Sequence, residues 1–167
     1  LGSLIESTIS FLSLQASAGA DALMLFDSWA SAVPAAQRDW LVTRPARLII
    51  EGLRKNGHQQ PVIGFPKGIG EGLIAYVDQS GVDAVGLDHG VDPVWVDRNL
   101  PQNFPVQGNL DPLSLLQAGP EMFRDIDHIL DAFANRPHIF NLGHGITPPT
   151  PTENVQLMLD HVRRHQG

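Results

Sequence analysis

The 167-residue sequence contains no cysteine. Disulfides, Cys-ligated zinc, Fe–S clusters and thiol catalysis are therefore excluded. Positive charge is scarce: 11 Lys and Arg stand against 18 Asp and Glu, a formal charge of −7. A general nucleic-acid binder needs the reverse balance to displace phosphate counterions. Long apolar runs are also missing. None approaches the roughly 18 residues of a membrane span, and no secretory leader pattern is visible. What is present, 43% apolar and 17% charged residues, suits a globular domain with a substantial core. The chain opens on Leu1 rather than Met, as a fragment or processed product would.

Short apolar runs alternate with helical stretches. Residues 22–28, 61–66, 84–89, 106–110 and 138–142 read as strands apolar on both faces, the mark of a buried parallel sheet. Helices are expected over 3–18, with Leu4, Ile5, Ile9 and Leu12 on one face, and over 35–56, kinked or divided at Pro45. A further helix over 71–80 stops at Gly81, and one over 120–134 buries Phe123, Ile126, Leu130 and Phe133. Asp92 and Asp111, each followed by proline, read as N-caps. Thr150-Pro-Thr-Glu153 reads as a capping box opening the last helix. Alternating strands and helices imply a parallel sheet with right-handed crossovers. An open doubly wound sheet and an arc of a (β/α)8 barrel both fit. In either, ligands bind beyond the carboxyl ends of the strands, where polar residues close every run here.

Five features bear on chemistry, four at those strand ends and one on the last helix. Asp27-Ser28-Trp29 offers a carboxylate, a hydroxyl and a flat wall, or a turn with Asp27 capping amides. Asn141-Leu-Gly-His-Gly145 sets His144 between glycines, which let the backbone approach a ligand while the imidazole donates to an anion. Asn109 and Asp111 could point into the rim, although capping suits Asp111. Lys67-Gly-Ile-Gly-Glu-Gly72 resembles a phosphate loop but matches neither the P-loop nor the dinucleotide pattern, so an anion-tolerant loop is expected. His161 and His165 have metal-ligand spacing but no third ligand in sequence, which suggests a solvated helix end. His58, His128 and His138 form no constellation. Ser28, Asp88 and His144 supply the residue types of a hydrolase triad, without the nucleophile elbow.

Four segments taken in order, 22–30 (ALMLFDSWA), 84–88 (AVGLD), 106–112 (VQGNLDP) and 138–146 (HIFNLGHGI), resemble the C-terminal half of the uroporphyrinogen decarboxylase family. The resemblance covers essentially the whole chain. It implies the C-terminal part of a TIM (β/α)8 barrel, with residues 1–167 a single incomplete domain whose N-terminal half is missing. It also implies a cytoplasmic, homodimeric carboxy-lyase without cofactor or metal. Such an enzyme removes CO2 from the four acetate side chains of uroporphyrinogen to give coproporphyrinogen in haem biosynthesis. By motif, Ser28 and His144 would each contact a substrate carboxylate, at opposite sides of the cleft. The family's Arg-rich segment, its pyrrole-binding Asp and a cleft Tyr would lie in the missing half, so the catalytic groups find no counterpart here. Corrinoid methyltransferases of the same superfamily rely on a Cys ligand, which this chain lacks. A fragment of this kind is expected to be inactive alone. A non-catalytic half-barrel that binds an anionic tetrapyrrole, or serves as an assembly module, is the alternative. An open arc would leave edges at 22–28 and 138–142, with Leu23, Leu25, Phe140 and Leu142 as the inner-face side chains losing their partners. Dimers or higher oligomers would then be expected.

Overall fold

The structure is a computed structural model in which residues 1–165 are described. Two compact units divide the chain, Leu1–Val85 and Gly86–Gly167. The strands are hydrogen-bonded in chain order, β1-β2-β3-β4-β5. A doubly wound sheet reverses its strand order at a switch point. This order has no reversal, which leaves the barrel arc.

In the first unit, α1 (Gly2–Ser17) precedes β1 (Leu23–Asp27). Its buried face carries Leu12 and Ala16, with Ile9 lying against Gly52 of the next helix. Leu4, expected on that face, is 69% exposed. It sits one position off the stripe that Ile5, Ile9, Leu12 and Ala16 define at helical spacing. The expected long helix is divided at Pro45. Short 3-10 turns (Ala30–Ala32, Ala35–Gln37) and a π turn (Asp39–Thr43) lead into α2 (Arg44–Lys55), which has proline in its first turn. Proline lacks the N–H that would bond the carbonyl four residues back, so the wider turn falls where that bond is missing. Strand β2 (Val62–Pro66) pairs in parallel with β1, Leu25 opposite Gly64 and Asp27 opposite Pro66. Helix α3 (Gly72–Ser80) ends at Gly81 in the left-handed conformation, φ 78°. The core gathers Leu23, Ile49, Leu53, Val62, Leu73 and Tyr76. Asp83 locks the α2–β2 connection, accepting from the Val62 amide at 2.8 Å and from Arg54 at 2.9 Å.

Strand β3 (Ala84–Gly86) leads into the second unit, which continues with α4 (Pro93–Asn99), β4 (Val106–Leu110), α5 (Pro112–Gln117), α6 (Gly119–Ala132), β5 (His138–Leu142) and α7 (Thr152–His165). Strands β4 and β5 pair in parallel, Val106 opposite His138. Both aspartate caps form as expected: Asp92 accepts from Val94 and Trp95, and Asp111 from Leu113. Met122, Ile126, Ile129, Leu130 and Phe133 of the α6 segment fill the core with Val96, Leu110 and Leu115. The capping box is replaced by another arrangement. Helix α7 starts at Thr152, and the Thr150 hydroxyl bonds that of Thr147 at 2.9 Å.

The strand faces differ from the expectation. Gly64 lies against the Tyr76 hydroxyl of α3, so the row Leu23, Leu25 and Asp27, in register with it, faces the helices. The His138 ring lies 4.7 Å from that of Phe133, tilted by 55°, and meets Phe140 edge-on, so Phe140 and Leu142 share the helix-covered face too. The residues left open are their neighbours, Phe26 at 63% and Ile139 at 51% exposure. A run apolar on both faces carries no period from which to assign one face.

Candidate active site

At the carboxyl end of β1 the alternation separates Asp27 from Ser28. Asp27, on the helix-covered row, accepts a hydrogen bond from the Trp29 amide, and burial pushes its carboxyl above the usual range. Burial and the charge of Asp27 also push the Tyr76 phenol far up. Asp27 therefore caps the turn, and Ser28 and Trp29 are the exposed groups. The turn is braced by the glycine loop after β2. The Ser31 amide donates to the Lys67 carbonyl at 3.1 Å, and a Cβ on Gly68 would stand 2.8 Å from that of Ser31. Arg38 donates to the Ile69 carbonyl at 3.0 Å, so that loop is anchored by a guanidinium that its motif did not reveal.

In the second unit three segments meet at the strand ends. Asn109, read as a rim residue, is buried and serves as a clamp. Its amide donates to the carbonyls of Asp88 at 3.0 Å and Val91 at 2.8 Å. Asp88 tightens the same loop by accepting from the Gly90 amide at 2.8 Å. From the other side comes Gly143, whose amide donates to the Leu110 carbonyl at 2.8 Å. A Cβ there would overlap the His89 amide nitrogen and lie 2.8 Å from the His89 Cα. Glycine at 143 is thus required by close approach rather than by turn geometry. The following residue, His144, is exposed, as is His89. A cleft of about 230 Å³ opens beside this loop, lined by His89, Asn109, Asp111, Ser114, Asp125 and His128. In it Ser114 donates to Asp125 at 2.5 Å.

Three other histidines, His138, His161 and His165, make contacts within the fold. His161 does not end in solvent. Its ring stacks on Phe123 at 4.6 Å, and Nε2 is 2.6 Å from Asp127. His165 lies 3.6 Å from Asp127 and 3.4 Å from Asp131. These carboxylates come from α6, more than thirty residues away, which is why spacing within α7 did not announce them. Among the described residues no group of three or more His, Cys, Asp and Glu is arranged to hold a metal ion. Nor is any described helix long and apolar enough to cross a membrane. His138, without an evident partner in sequence, donates from Nε2 to the Gly108 carbonyl at 2.7 Å, and burial lowers its pKa. Sequence reasoning also missed Arg136. Its fully buried side chain meets Asp97 at 2.9 Å and the carbonyls of Asp97 and Leu100 at 3.1 and 3.2 Å.

The uroporphyrinogen decarboxylase (URO-D) family model matches residues 1–165. Curated relatives named uroporphyrinogen decarboxylase include those of Novosphingobium aromaticivorans, 52% identical over 98% of this chain, and Sphingopyxis alaskensis, 48% identical over 98%. Each alignment covers 48% of the relative, so the chain spans about half the length of the curated relatives it matches. Among solved structures, a methyltransferase from Methanosarcina mazei superposes with a TM-score of 0.81 at 16% identity, over 98% of this chain and 48% of that one. At that identity the likeness concerns the fold alone.

Proposed function

Because this chain belongs to the uroporphyrinogen decarboxylase family, we propose that it contributes to a carboxy-lyase that converts uroporphyrinogen to coproporphyrinogen in porphyrin biosynthesis. Its five parallel strands with their helices are about half of that family's TIM barrel. On this reading residues 1–167 are one incomplete barrel domain, and the whole protein is a cytoplasmic homodimer. The family match across residues 1–165 is the observation that carries the reading.

The chemistry divides the work. Loss of CO2 from an acetate on a pyrrole needs a protonated ring to accept the electrons of the breaking C–C bond, a carboxylate to stabilise that cation, and a proton donor. The substrate carries eight carboxylates, so its pocket needs several cations. A half with formal charge −7 is poor in such cations, and on this reading the main cations, with the pyrrole-binding carboxylate that the family resemblance implies, belong to the other half of the barrel. The share of this chain is to bind and orient. Ser28 donates its hydroxyl to one substrate carboxylate, and the His144 imidazole donates to another. Both residues are exposed just beyond strand ends, where such barrels bind ligands.

The test is conversion of uroporphyrinogen to coproporphyrinogen, followed by chromatography, with this chain alone and within the whole protein. The chain alone is expected to be inactive, and product from it would refute the division of labour. In the whole protein His144→Ala should lower turnover by roughly tenfold or more, the worth of a charge-assisted hydrogen bond, while His165→Ala should be close to neutral. Equal activities would remove His144 from the site.

A further inference from the structure

We propose that His89 is a second carboxylate-binding residue that works with His144, the two imidazoles gripping one carboxylate of the ligand from neighbouring loops. The inference rests on the reading of His144 given above. It goes further, because nothing in the motifs or the relatives assigns a role to His89.

The loop after β3 and the loop after β5 touch at His89 and Gly143, so closely that no side chain fits between them. His144 follows Gly143 directly. The two histidines are therefore brought together by a fixed backbone contact rather than by a flexible reach. Asn109 holds the His89 loop through two carbonyls, and the Gly143 amide is tied to Leu110. Both imidazoles are exposed, and neither has a hydrogen-bond partner among the described residues. Two unengaged donors on two braced loops form a binding arrangement, whereas exposed histidines on helix surfaces do not.

The ligand class follows from the donors and their surroundings. Each imidazole offers one N–H even when neutral, and two N–H groups match the two oxygens of a carboxylate. The nearby acids limit the charge the site can accept. Asp111 and Asp125 line the cleft beside His89. Their partners, the Leu113 amide and the Ser114 hydroxyl, leave their charge in place. The carboxylate of Asp88 belongs to the same loop and is bonded to the Gly90 amide. A phosphate dianion meets that field at a greater disadvantage than a single carboxylate does.

The experiment is an NMR titration of the imidazole C–H signals of this chain with sodium acetate and with inorganic phosphate, at constant pH and ionic strength. Uroporphyrin serves as the macrocyclic probe. The His89 and His144 signals should move together with acetate and give one apparent constant. His89→Gln should weaken the acetate response at His144 about threefold to tenfold, and phosphate should bind more weakly than acetate. If His144 responds equally in the wild type and in His89→Gln, the pairing is wrong and the reading of His144 stands. If neither signal moves with acetate or with uroporphyrin, the carboxylate role falls for both histidines. Tighter binding of phosphate than of acetate would overturn the ligand class. Retention of the Gly143 and Leu110 amide signals in His89→Gln shows that the loops have kept their place.

Discussion

Gly143 and Asp27 illustrate how single residues shape the two strand ends. Adding one methyl at Gly143 drives it into the backbone of His89, and backbone cannot rotate away. Gly143→Ala should destabilise the fold by about 1–3 kcal/mol in denaturant melts and disturb the His144 loop, seen as shifted amide signals at 142–146. Asp27 works in the other direction. Its carboxyl is raised by burial, so the folded state holds a proton that the unfolded chain releases, and stability falls as pH rises through the carboxylate range. Asp27→Asn keeps an acceptor for the Trp29 amide and removes the buried charge. It should therefore stabilise at pH 7 and have little effect at pH 3, measured by thermal melts across pH. His138 has the opposite linkage. Burial lowers its pKa, so the unfolded chain takes up a proton that the fold refuses. Stability is full above the ordinary imidazole range, near 6.5, and is lost as pH falls through the lowered value. His138→Gln, which still has a donor for Gly108, should flatten that acid limb.

Between elements, a few cross-links decide how helices and strands lie on one another. Arg136 joins the end of the α6 segment to α4 through Asp97 and two carbonyls with its charge wholly buried. Removing it strands the carboxylate, and Arg136→Ala should cost on the order of 3 kcal/mol in chemical denaturation. The seat of α3 on β2 depends on the absence of a side chain at Gly64, where a Cβ would lie 2.5 Å from the Tyr76 hydroxyl and 2.9 Å from Val82. These contacts also explain what could be read from the chain in advance. The five strands and the caps Asp92 and Asp111 were legible because apolar runs and Asp-Pro pairs act locally. Arg136 was not, since a charged residue in sequence reads as surface until its partners, more than thirty residues away, are known. Asn109 was seen at the right place, but its clamp on the Asp88 and Val91 carbonyls was not foreseen, because an amide at a strand end serves a ligand and a loop equally well. The pairing of His161 with Asp127 failed to announce itself for the same reason of distance.

For the molecule as a whole, strand order governs behaviour. β1 and β5 stand at the ends of the order, and each presents an open apolar residue, Phe26 on one and Ile139 on the other. End strands and open apolar faces recruit further chains, so this chain should form dimers or larger species at low micromolar concentration by light scattering. Phe26→Lys with Ile139→Lys should shift it toward monomer, and a folded monomeric wild type would contradict the expectation. The same order has a consequence for how the chain comes to be folded. Each strand lies beside its neighbours in sequence, so no strand has to wait for a distant one to be made. On a ribosome, each of β2 to β5 is expected to find its neighbour already outside, so that the sheet lengthens at one growing end. Synthesis and folding then run in the same direction, and a pause in translation leaves a shorter sheet rather than a tangled one.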